Sequence, residues 1–142
     1  MDTADLALRN RTYALLVELG RPPLAAEVGA EEDVRGGWRR LHDAHAVVLD
    51  RNGRELLMAN PFSAVETPHR VEADGRSWYG NCAWDAFGIC AALGVDGRID
   101  SKCPDCGESI SIDLREGRPN DESLVFHCLV PAEHWWDDIV FT

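Results

Sequence analysis

The sequence predicts an α+β fold: a helical lead-in followed by a small mixed or antiparallel sheet packed on one helix. Three observations predict it. Apolar residues recur at helical spacing in three stretches before residue 46. Asn52-Gly53 then separates two apolar runs, a strong hairpin signal. Beyond residue 60, short alternating segments surround one long apolar helical pattern, NCAWDAFGICAALG, residues 81–94.

Taken in order, residues 5–19 place Leu8, Thr12, Leu15, Leu16 and Leu19 near one helical face, and Gly20 stops the run. Arg21-Pro22-Pro23 opens a short second helix over residues 24–28, and a third is expected over residues 31–45 with Val34, Trp38 and Leu41 inward. The hairpin pairs residues 46–49 with residues 55–58. Three helices and a hairpin outline a winged-helix-like subdomain, residues 1–60, ahead of a core, residues 61–142. In that core, residues 69–71 and 76–79 read as strands about an Asp74-Gly75 turn, and residues 82–93 as the helix, ended by Gly94. Residues 97–101, 109–114 and 124–130 alternate as strands should. Pro131 opens a short helix through Trp136, and residues 139–141 would begin a last strand.

The chain has 142 residues, enough for one domain or one core with a subdomain, and 45% of them are hydrophobic. Twenty-five acidic against fourteen basic residues leave a net charge of −11. Such a surface repels phosphate backbones, so the helical lead-in is expected to serve as scaffold or cover and not to bind nucleic acid. Apolar runs are too short for a membrane span, and the first residues lack a signal-peptide pattern. Five cysteines without an export signal suit reduced thiols in the cytoplasm.

Chemistry concentrates around the long helix. Cys82 falls in its first turn and Asp85 three residues later, so thiol and carboxylate share a face. A helix N-terminus lowers a thiol pKa, which makes Cys82 the expected most reactive thiol, and a nearby carboxylate can accept or donate a proton. The same spacing suits a buried, inert cysteine beside a capping aspartate. Cys90 lies two helical turns on, roughly 12 Å along the axis, too far to share an ion with Cys82. Cys103-Pro104-Asp105-Cys106-Gly107 is half of a zinc knuckle. Cys103, Cys106 and Cys128, with a histidine such as His69, form a candidate zinc set, against a plain tight turn with spare thiols. Trp135 and Trp136 suit either packing over the sheet or the wall of an apolar pocket.

Residues 61–106 resemble the alkylmercury lyase (organomercurial lyase) family, through Cys82-Ala83-Trp84-Asp85, Leu93-Gly94 and Ser101-Lys102-Cys103. More weakly, the similarity runs from about residue 5 to the end. The resemblance implies an enzyme that binds the mercury of R–Hg⁺ through thiolates, with Cys82 as the first, and protonates the departing carbon from Asp85. It implies a structural role for Cys103, no organic cofactor, mercury as substrate and product, and a thiol acceptor protein as candidate partner. The family's second reactive cysteine is expected at Thr142 or immediately beyond, where the chain stops; Cys128 is the nearest substitute. Two further functions fit the residues. One is an enzyme on the same scaffold using Cys82 as nucleophile and Asp85 as acid/base on a non-mercurial metabolite; the other is a non-catalytic binder of zinc or mercury.

Overall fold

A computed structural model describes residues 1–140. Three helices lead: α1 (Thr3–Leu19), α2 (Ala25–Val28) and α3 (Glu31–Asp43). The Asp2 carboxylate accepts from the Asp5 N–H at 2.8 Å to start α1, and Gly20 ends it in the left-handed conformation, φ 67°. Helix α3 buries Val34, Trp38 and Leu41 as its spacing predicts. The Trp38 indole N–H, fully buried, donates to Thr12 Oγ1 at 3.0 Å, so the deepest polar atom of the helical region is satisfied. Helix α3 stops at Asp43, short of the expected residue 45, because His45 turns left-handed at φ 58°.

Eight strands form one antiparallel sheet among the described residues: β1 (Val48–Leu49), β2 (Leu56–Ala59), β3 (Phe62–Ser63), β4 (Arg70–Ala73), β5 (Arg76–Gly80), β6 (Gly97–Lys102), β7 (Ser109–Arg115) and β8 (Arg118–Pro119). Their order is β1-β2-β3-β5-β4-β6-β7-β8. The Asn-Gly hairpin forms as expected, pairing Val48 with Met58. Strand β3 was hidden in sequence by its two-residue length, yet it bridges the hairpin to β5 through Ala59↔Phe62 and Phe62↔Gly80. Helix α4 (Ala83–Leu93) connects β5 to β6 and buries Ala86, Ile89 and Cys90 against the sheet. Gly94 closes it in the left-handed region at φ 65°. One apolar cluster runs from Leu16 and Trp38 through Val71 and Trp78 to Ile99 and Leu114.

Glycine is demanded where β5 turns into α4. A Cβ on Gly80 would stand 2.7 Å from the Ala86 nitrogen and 3.0 Å from the Cys82 carbonyl oxygen. The bare backbone lets the helix start directly over the strand end, which fixes where Cys82 sits.

Two expectations fail at the C-terminal side. Residues 124–130 are not a strand, since the edge of β7 is taken by β8 through Leu114↔Pro119 and Arg115↔Arg118. Their alternating apolar residues instead run exposed, Val125 at 90% and Leu129 at 80%. Ile139 and Val140 lie in a turn, and the Phe141 of the expected last strand lies outside the described residues, as does Thr142. Between them the expected short helix is present as a 3-10 turn, Ala132–Asp137. It is tied back to the helical region by Trp136, whose ring stacks on His45 with centroids 4.1 Å apart.

Candidate active site

Cys82 occupies the N-cap of α4, not its first turn, with extended backbone at φ −142°. Its side chain makes no capping hydrogen bond, and the nearby backbone N–H groups of Asp85 and Trp84 pull its pKa down only in part. Burial pushes the Cys82 thiol up from its ordinary range, and the Asp85 carboxylate and Cys128 add to the rise, so the expected lowering is reversed. Spacing foretold the helix terminus but could not foretell the cover over it.

Asp85 is the thiol's partner. Burial raises its carboxyl above its ordinary value, while the hydrogen bond from Asn81 and the neighbouring Cys82 thiol restrain the rise. Asn81 Nδ2 donates to Asp85 Oδ2 at 3.1 Å and to Asn60 Oδ1 at 3.0 Å. The Asn60 backbone carbonyl in turn accepts from the Tyr13 hydroxyl at 3.0 Å. Helix α1, the β2–β3 junction and the start of α4 thus converge on one carboxylate. Asn81 and Asn60 were not singled out in the sequence; the position of Asn81 just before Cys82 was the available signal. Asn81 Oδ1 is buried without a partner among the described residues.

Two adjoining cavities meet at Cys82. The smaller, about 150 Å³, is lined by Asp85, Asn81, Asn60, Met58 and Trp84. The larger, about 350 Å³, brings Cys82 together with Cys103, Cys128, His69 and Ser101, under an apolar wall that includes Ile110, Phe126 and Leu129. Cys82 and Trp135 line both. Trp135 therefore walls the pocket, its indole N–H donating to the Val130 carbonyl at 2.7 Å. Phe126 meets the exposed Trp84 ring at 5.9 Å, so the irregular segment lies across the start of α4. His69 is held below the ordinary imidazole range by burial and pairs with Ser101 Oγ at 2.8 Å.

Cys103 and Cys106 sit in the β6–β7 turn. The nearby backbone N–H groups of Cys106 and Asp105 and the Cys106 side chain favour the charged form of Cys103 and lower its pKa. Cys90 is buried in the core face of α4, away from both cavities. The zinc arrangement of Cys103, Cys106, Cys128 and His69 is not formed: among the described residues no three His, Cys, Asp or Glu side chains are placed to hold a metal ion. With residues 124–130 off the sheet, Cys128 enters the cavity on an irregular segment, its thiol bonded to the Val130 carbonyl at 3.1 Å. A wider groove of about 580 Å³ crosses β4–β6 elsewhere, but its lining holds no cysteine and its Arg70, Arg98 and Arg115 are paired with Glu72, Asp100 and Asp96.

On this α+β scaffold Cys82 and a half-buried Asp85 carboxyl share one cavity, and Cys103 and Cys128 line the adjoining apolar cleft. The alkylmercury lyase (MerB) family model matches residues 62–142, and the chain belongs to that family. It is 33% identical over 96 residues to the alkylmercury lyase of Staphylococcus epidermidis, covering 67% of this chain and 42% of that protein. It is 30% identical over 74 residues to the alkylmercury lyase of Bacillus cereus, covering 52% and 33%. The chain thus spans less than half the length of these curated relatives. The crystal structure of the mercury-bound form of MerB2 superposes with a TM-score of 0.65 at 18% identity, over 85% of this chain and 60% of that one, and shares the fold. Among the described residues no helix is long and apolar enough to cross a membrane.

Proposed function

We propose that the chain cleaves carbon–mercury bonds by thiolate capture followed by protonolysis, with Cys82, Asp85 and Cys128 as the working groups. The observation that carries this is that Cys82 and the burial-raised Asp85 carboxyl, three residues apart at the start of α4, line one cavity. With the thiol protonated and the carboxyl ionised at the start, a proton passes between them at little cost in net charge. Asp85 takes the Cys82 proton as sulfur binds the mercury of R–Hg–X and X⁻ departs. Thiolate is the soft ligand that a soft metal prefers. Cys128, across the same cavity, loses its proton to solvent and adds a second sulfur, which pushes electron density toward carbon. Asp85 then returns its proton to the carbon as the carbon–mercury bond breaks. R–H leaves, and Hg²⁺ stays between two sulfurs with no change of oxidation state. The apolar wall with Trp135 and Phe126 suits an organic substituent.

The test is methane release from methylmercury in the presence of excess small thiol. Cys82→Ser should abolish methylmercury capture in the Cys82 cavity and turnover together, because a neutral hydroxyl is a poor ligand for mercury. Asp85→Asn should keep much of the binding and slow hydrocarbon release by about 10²-fold or more, the usual scale for a lost general acid. Turnover that survives Cys82→Ser would eliminate the mechanism.

A further inference from the structure

We propose that Cys103 and Cys106 form a second, two-sulfur site for Hg²⁺ that takes the ion from the Cys82 cavity and passes it to a thiol outside. It extends the proposed lyase reaction and rests on that reading for the origin of the ion, though not for the binding itself.

Position carries the inference. Cys103 lines the same cavity as Cys82 and Cys128, whereas Cys106 is exposed and absent from that lining. The pair therefore straddles the cavity rim, with Cys103 in the lining and Cys106 on the outer surface. The turn holds them together: the Cys103 N–H donates to the Glu108 carbonyl at 2.9 Å, and the Gly107 N–H to the Cys103 carbonyl at 2.9 Å, with Gly107 left-handed at φ 74°. Two residues, Pro104 and Asp105, separate the cysteines within this tight turn. A third ligand is lacking, since no trio of metal-binding side chains exists among the described residues. That disfavours tetrahedral zinc. It suits Hg²⁺, which is satisfied by two sulfurs on a line.

Transfer is ligand exchange and redox-neutral. Cys103 thiolate bonds to mercury held by Cys82 and Cys128, one of those sulfurs departs and takes up a proton, and Cys106 then displaces the other in the same way. An outside thiolate finally replaces Cys103 and Cys106 in turn.

The experiment loads the reduced chain with one equivalent of mercuric chloride, alkylates the remaining thiols and maps them by peptide mass. In Cys82→Ser, both Cys103 and Cys106 should be protected while Cys128 is alkylated. In the double variant Cys82→Ser with Cys106→Ser, whose exposed position 106 spares the fold, Cys103 should lose mercury to competing glutathione about 10²-fold more readily than in Cys82→Ser alone, the scale of losing an intramolecular second ligand. With methylmercury, Cys106→Ser should release hydrocarbon at the unaltered rate but deliver mercury to glutathione more slowly. Alkylation of Cys103 and Cys106 in mercury-loaded Cys82→Ser overturns the site, and equal delivery rates overturn the relay. An unaltered chain that frees no hydrocarbon sinks the lyase reading alone, because the mercuric chloride mapping still decides the dithiol.

Discussion

Two thiols on one cavity are tuned in opposite directions. Burial lifts Cys82, whereas backbone N–H groups and a neighbouring thiol lower Cys103. At neutral pH iodoacetamide should therefore modify Cys103 well before Cys82, and Cys82 should catch up only as pH passes the ordinary thiol value of about 8.5. Alkylation rates against pH, resolved by peptide mass, check this; Cys82 reacting first would mean that the helix terminus outweighs burial. Asp85 allows a matching test on stability. Its folded carboxyl titrates above its unfolded value, so near pH 3 both states hold the proton and the buried group costs nothing. As pH rises through the unfolded and then the folded value, the unfolded chain ionises first and stability is lost. Asp85→Asn, which never ionises, should melt above the unaltered chain at pH 7 and level with it near pH 3. Cys82 and Asp85 were legible as a pair because helical spacing alone brings them together. Asn60 was not, because it reaches Asn81 across twenty-one residues of chain.

At the scale of elements, helix α4 is held at both ends by backbone that tolerates no side chain. Gly80→Ala would drive a methyl into the Ala86 nitrogen, and Gly97→Ala would meet the Cys90 sulfur at 2.9 Å. Gly80→Ala should cost about 1–3 kcal/mol, the usual range for overpacking a tight site. Because the clash lies beside the Cys82 carbonyl, it should also weaken mercury binding; denaturant melts and titration with mercuric chloride measure the two effects. Helices α1, α3 and α4 were readable because each has periodic apolar residues and, for α1 and α4, a terminal glycine. Residues 124–130 misled for a physical reason: alternation records which residues are apolar, not whether a neighbouring edge is free. Strands β3 and β8, two residues each, exist only through their partners and leave no pattern of their own.

At the scale of the molecule, the sheet runs without a break from the hairpin to β8 and carries the helical lead-in and the site together. The net charge of −11 sets its long-range behaviour. Random duplex DNA should not bind at micromolar protein and moderate salt, since few phosphates could be neutralised and few counterions released. A salt-sensitive shift of labelled duplex would refute this. The α+β class was legible in the switch from helical to alternating spacing, and the thiol and acid from the helix that follows. The cavity was not, because its wall comes from an irregular segment whose path depends on contacts such as Trp136 on His45.

The chain of bonds from Tyr13 through Asn60 and Asn81 to Asp85 has one more consequence. Two of its members are amides, which keep their protons, so it can anchor the carboxyl but cannot feed it. Under the proposed mechanism the hydrogen carried off on carbon must therefore enter from the cleft side, through the Cys82 thiol or water beside it. In heavy water, the released hydrocarbon should carry a single deuterium.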